Sequence, residues 1–193
     1  AYKQQEAIQN IQRIGKISEA RFLPIVGADE TVYYRNKLEF TFSNKRYLTE
    51  NEIKGDGILP QENALGFHVP RIFDKIIDIQ TCYLMDDVNN AIRNSVREFA
   101  LQHNFSFYDV RQHTGWLRNI VIRNCTTGEL MVNIIFNNED EANRKLLLDD
   151  LLQKVPAITT LLYTINPKFN DTIYDLTPIT YFGKGYAIEK LEN

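Results

Sequence analysis

At 193 residues the chain is long enough to bury a substantial core, and 44% hydrophobic with 24% charged residues is an ordinary globular balance. No apolar run reaches membrane-spanning length and no amino-terminal signal pattern is present, so a cytoplasmic location without a membrane partner is expected. A net charge of -3 argues against a wholly basic nucleic-acid binder, and two cysteines argue against a disulfide scaffold, which leaves local clustering to decide what the surface binds.

Residues 2 to 14 read as a helix with Ala7, Ile8, Ile11 and Ile14 as a narrow apolar stripe and Gly15 as its stop. A connector containing Pro24 and Gly27 follows. Residues 32 to 42 then alternate as a strand. Val32, Tyr34, Leu38, Phe40 and Phe42 fall on one face, and Tyr33, Arg35, Lys37, Glu39 and Thr41 on the other. Asn44-Lys45-Arg46 is a candidate turn that would fold this strand into a hairpin, and residues 49 to 63, with Gly55, Gly57 and Pro60, read as a surface loop. Short strands are expected at 64 to 69 and 75 to 79, the second leading to Cys82. The spacing of Val88, Ile92, Val96 and Phe99 predicts a helix from Asp86 to about Gln102.

Strands at 117 to 123 and 130 to 136 flank a short Gly-containing segment and predict a hairpin. A helix over 139 to 154, limited by Pro156, buries Leu147, Leu148, Leu151, Leu152 and Val155. Strands are expected at 158 to 165, 172 to 176 and 186 to 191. This order predicts an α+β fold, a largely antiparallel sheet with helices packed on one face in a split βαβ-like arrangement. Gly183-Lys184-Gly185 lacks a following helix pattern, so no Rossmann domain is expected. Residues 1–30 are expected to form an amino-terminal helix and connector, and 31–193 a central α+β domain.

On a strand, Arg35 and Lys37 would project side by side, close enough to hold neighbouring phosphates, with Tyr33 beside them to stack on a base. Mixed charge on a solvated strand face is the plainer explanation of the same residues. Arg118 combines phosphate hydrogen bonding with stacking, and Arg71 lies in a second locally basic segment. His68, His103 and His113 are too scattered for a metal motif. An isolated cysteine such as Cys82 is ordinarily a buried thiol.

Several ordered blocks resemble the RNA uracil-5-methyltransferases, in particular the branch that modifies large-subunit ribosomal RNA. They are Tyr33-Tyr34-Arg35-Asn36-Lys37 with Glu39-Phe40, Ala64 to His68, Phe73 to Ile79 leading to Cys82, Gly115 to Asn119 with Arg123, Thr127 to Val132, and Ile165-Asn166 with Asn170 to Thr172. The resemblance implies a central substrate-binding domain that grips folded ribosomal RNA through Tyr33, Arg35, Lys37, His68, Arg71, His113 and Arg118. It also implies Cys82 as the fourth ligand of an iron-sulfur cluster whose other three cysteines are absent here. S-adenosylmethionine, the cysteine nucleophile and the acidic base belong in that family to a carboxy-terminal catalytic domain. No catalytic residue is therefore expected in this chain, and the fragment alone should be inactive with its own catalytic domain missing. A stand-alone RNA-binding module and a structural or protein-interaction domain are the alternatives.

Overall fold

The computed structural model describes residues 2–55 and 62–191. The chain divides into two units, Ala1–Thr31 and Val32–Asn193. In the first, helix α1 (Tyr2–Gln9) passes into a single π-turn, Asn10–Ile14, closed where the Gly15 N–H donates to the Asn10 carbonyl. The expected helix over 2 to 14 is therefore regular only to Gln9. Its apolar stripe is not buried, for Ile11 and Ile14 remain exposed.

The second unit is built on β1 (Lys37–Ser43), β2 (Ala64–Val69), β3 (Ile72–Asp78), β4 (Leu117–Asn124), β5 (Leu130–Phe136), β6 (Thr160–Ile165) and β7 (Ile179–Gly183). They form one sheet in the order β3-β2-β1-β4-β5-β6-β7, antiparallel at every pairing except β5 with β6. Helix α2 (Glu50–Lys54) precedes β2, α3 (Asp87–Gln102) follows β3, and α4 (Glu141–Lys154) bridges the parallel pair.

Strand alternation and helical period converge on one layer. Leu38, Phe40 and Phe42 of β1, Ile120 and Ile122 of β4, and Val132 and Ile134 of β5 share a core with Ile92, Val96 and Phe99 of α3 and Leu147, Leu148 and Leu151 of α4. Each such side chain, fully buried, contributes roughly 1.5–3 kcal/mol. Both long helices thus cover the same face, and the fold is α+β as expected. Asp140 starts α4 by accepting the Asn143 N–H at 3.1 Å.

Four details differ from the sequence reading. The first strand begins at Lys37 and not at Val32, because Tyr33 takes a left-handed conformation (φ 57°) that an extended strand cannot contain. The loop expected from residue 49 opens with α2, where Thr49 and Glu52 cap each other reciprocally; residues 56–61 of that loop lie outside the described residues. Residues 172 to 176 and 186 to 191 are not strands, and the strand in this region is β7. The 186–191 segment runs beside the β4–β5 hairpin through side chains, with Glu189 accepting from the Thr126 N–H and Glu129 from the Ile188 N–H. Finally, Asn44-Lys45-Arg46 does not close a hairpin directly; Lys45 and Tyr47 bond instead to the backbone of Ile76 in β3.

Candidate nucleic-acid interface

The sheet face opposite the two long helices carries the polar half of the strand alternation. The strand register lays its side chains in rows: Lys37 opposite Arg123 and then Met131, Glu39 opposite Val121, Asn133 and then Leu162, and Thr41 opposite Asn119. The buried amides of these rows are already partnered. Asn119 donates to the Thr41 hydroxyl at 3.2 Å, and Asn133 and Thr164 exchange hydrogen bonds of 3.0 and 3.1 Å. The 171–178 part of the β6–β7 connection lies over this face and encloses with it a cavity of about 370 Å³.

Arg118 holds that connection in place. A register shift between Leu117 and Asn119 interrupts the alternation of β4, so Arg118 and Asn119 both turn to the helix-free side. The Arg118 guanidinium donates to the carbonyls of Asn166, Lys168 and Asn170 and to the Asp171 carboxylate, and it lies 4.1 Å from the centre of the Tyr108 ring. With only 1% of its surface exposed, it is an internal anchor. The two terminal nitrogens of Arg118 serve the protein's own carbonyls and Asp171, while its Nε is buried without a partner among the described residues, an anchoring role distinct from the RNA contact expected of it.

The other candidates divide between two places. Tyr33 and Arg35 lie just before the start of β1, where their N–H groups donate to the Tyr83 and Leu84 carbonyls at 2.8 Å each. Arg35 precedes the strand, so the side-by-side projection expected from pleating does not apply. Arg35 and Lys37 nevertheless line one shallow groove of about 440 Å³ with Phe67 and Leu84. The Tyr33 hydroxyl is 3.4 Å from Asp87; desolvation first, then that carboxylate, pushes its pKa up. His68 lies beside the other end of β1, with Nδ1 3.1 Å from the Phe73 carbonyl. Arg71 occupies the β2–β3 turn and His113 the loop before β4, its ring stacked on exposed Phe169 at 4.3 Å.

Tyr33, Arg71 and His113 share a backbone feature, all three having left-handed φ values of 57°, 69° and 55°. A non-glycine residue in that region costs roughly 1–2 kcal/mol, and such strain gathers at functional positions. Sequence reasoning passed over two further cations. Arg111 lies over the Phe73 ring while bonding Asp74 at 2.6 Å, and Arg123 stands opposite Lys37. The pleat of β1 and the hairpin length could have found Arg123; only the folded loop reveals Arg111.

Cys82 is buried in the core, its N–H held by the Asn90 side chain at 2.8 Å. Among the described residues no three potential ligands gather into a metal site. Burial, with Glu189 and Glu129 adding to it, pushes the Cys125 thiol pKa up, the wrong direction for a nucleophile.

No protein-family model matches the chain. Curated relatives do. The chain is 47% identical over 194 residues to an "Uncharacterized RNA methyltransferase" of Bacteroides thetaiotaomicron, covering 99% of this chain and 43% of that protein. A protein of the same name from Porphyromonas gingivalis is 43% identical, with 98% and 42% covered, and one from Chlorobaculum tepidum is 34% identical, with 98% and 40% covered. The chain thus spans about two fifths of the length of these relatives. Among solved structures, the tRNA (uracil-54, C5)-methyltransferase of Pyrococcus abyssi, in complex with S-adenosyl-L-homocysteine, superposes with a TM-score of 0.66 over 100% of this chain and 41% of that one. At 18% identity that likeness shows the fold.

Proposed function

We propose, for a chain that belongs with the RNA methyltransferases and corresponds to about two fifths of their length, that it is the substrate-binding segment of an S-adenosylmethionine-dependent RNA uracil-5-methyltransferase acting on ribosomal RNA. In this reading the chain grips folded RNA and the rest of the parent protein carries the chemistry. The observation that carries it is the placement of Arg35 and Lys37 on one groove at the start of β1, with Tyr33, strained and half-exposed, two residues before Arg35. A strained aromatic next to two cations offers a stacking ring and two phosphate ligands, which is how unpaired RNA is held. The uracil-5 reaction and its methyl donor are supported by the solved neighbour's fold and by the ordered motifs of the sequence. In the parent, S-adenosylmethionine would supply the methyl group; this segment's part is to orient the RNA.

Replacing Arg35 and Lys37 together by Gln tests the reading. Affinity for a ribosomal RNA hairpin should fall, and the slope of log affinity against log salt should shrink by about one to two, because each phosphate contact releases roughly one counterion. A double variant with an unchanged melting curve, unchanged affinity and unchanged slope would return this face to an ordinary solvated surface.

A further inference from the structure

The helix-free face holds an arrangement that packing does not account for. Lys37 and Arg123 are direct cross-strand partners, and like charges placed opposite each other destabilise a sheet. Glu39 relieves this only in part, reaching Lys37 at 3.8 Å with both side chains about two-fifths exposed, and Arg123 has no ion-pair partner among the described residues. Beside these charges lies the 370 Å³ cavity, with Met131 and Leu162 in its apolar lining and Tyr174 at its lip. Tyr174 is 95% exposed, so no packing among the described residues explains an aromatic residue there.

We propose that this cavity is a subsite for one unpaired RNA nucleotide, its phosphate between Lys37 and Arg123, its base on the apolar lining beside Tyr174, and its exocyclic amine donating to Glu39. The inference rests on the RNA-binding reading above and adds a base preference to it. An ionised carboxylate only accepts hydrogen bonds, so it suits the amine of cytosine or adenine and repels the carbonyl that uracil presents at the same edge. The subsite therefore selects a base other than the methylated uracil, a flanking nucleotide that fixes the register of the RNA. The cavity volume lies in the range of small-molecule pockets, and an apolar surface with an aromatic lip and a cationic edge is the general design of single-strand binding sites.

Fluorescence anisotropy on the 193-residue chain with six-nucleotide oligocytidine, oligoadenosine and oligouridine, beside a ribosomal RNA hairpin, tests this. Oligocytidine and oligoadenosine should bind about tenfold more tightly than oligouridine, the discrimination of one good base contact. Glu39→Gln, which supplies a donor for uracil, should bring the three within about twofold with the melting curve unchanged. Arg123→Gln should weaken all three alike and lower the salt slope by about one. Equal wild-type affinities for the three oligomers, or a preference that survives Glu39→Gln, would overturn the subsite even if the hairpin binds. Loss of every RNA, hairpin included, from the wild-type chain would overturn the RNA-binding reading itself, and the subsite with it.

Discussion

Arg118 shows how a residue singled out by its type can have its side chain engaged inside the protein. Its type suits RNA, but its place suits the protein: three carbonyls of one irregular segment converge on one guanidinium. Arg118→Met should cost about 3 kcal/mol, since it leaves those carbonyls and Asp171 without their charged partner, and Arg118→Lys should recover only part because an ammonium cannot fork across them. Urea denaturation gives the energy, and faster amide exchange at residues 166–171 gives the location; an unchanged urea midpoint in Arg118→Met would sink the anchor assignment. The sequence did carry a hint. Leu117, Ile120 and Ile122 are spaced by three and then two, a break in alternation that marks the bulge turning Arg118 to the other face. Cys82 is the reverse case. Its burial follows from its type, while a ligand role for it stands on family resemblance.

Short elements were the least legible. The apolar half of β1 was plain from Leu38, Phe40 and Phe42, whereas its first expected residues were lost to the left-handed turn at Tyr33, which the aromatic pattern around it conceals. The loop before β4 was opaque for another reason: it is held by contacts distant in sequence. The Asp109 carboxylate accepts from the Asn44 amide and from the N–H groups of Arg111 and Gln112, and with Lys45 at 3.5 Å. The Asn44 hydrogen bond first, then those backbone donors and the Lys45 charge, hold its pKa down at about 2. A Cβ on Gly115, at the far end of the loop, would stand 2.3 Å from the Phe107 carbonyl oxygen. Because the folded pKa lies below the ordinary carboxylate value, the stabilisation is complete above about pH 4 and disappears as pH falls toward 2. The urea midpoint of the wild type should therefore exceed that of Asp109→Asn by an amount on the order of 1–2 kcal/mol at pH 5, with the gap closing toward pH 2. A gap independent of pH would mean that the carboxylate charge is not what orders the loop.

Across the whole molecule, the layer architecture was readable because helix and strand periods in the middle of the chain agree on one apolar face. The stretch after β6 was not, since Arg118 and Glu129 fix residues 166–171 and 188 by side-chain bonds that leave no periodic trace. If the division of labour proposed for the parent holds, the 193-residue chain should fold and yet transfer no methyl group from labelled S-adenosylmethionine to unmodified ribosomal RNA; label recovered in uracil would show catalytic machinery within it. The anchor at Arg118 has a further consequence, for the evolution of such a protein. Arg118 reads mainly backbone carbonyls, which every amino acid provides, so the anchored segment can exchange exposed side chains such as Phe169 and Tyr174 without surrendering its mooring. If the RNA-binding reading holds, a surface hung in this way is free to diverge from one RNA target toward another while the framework beneath it keeps its sequence.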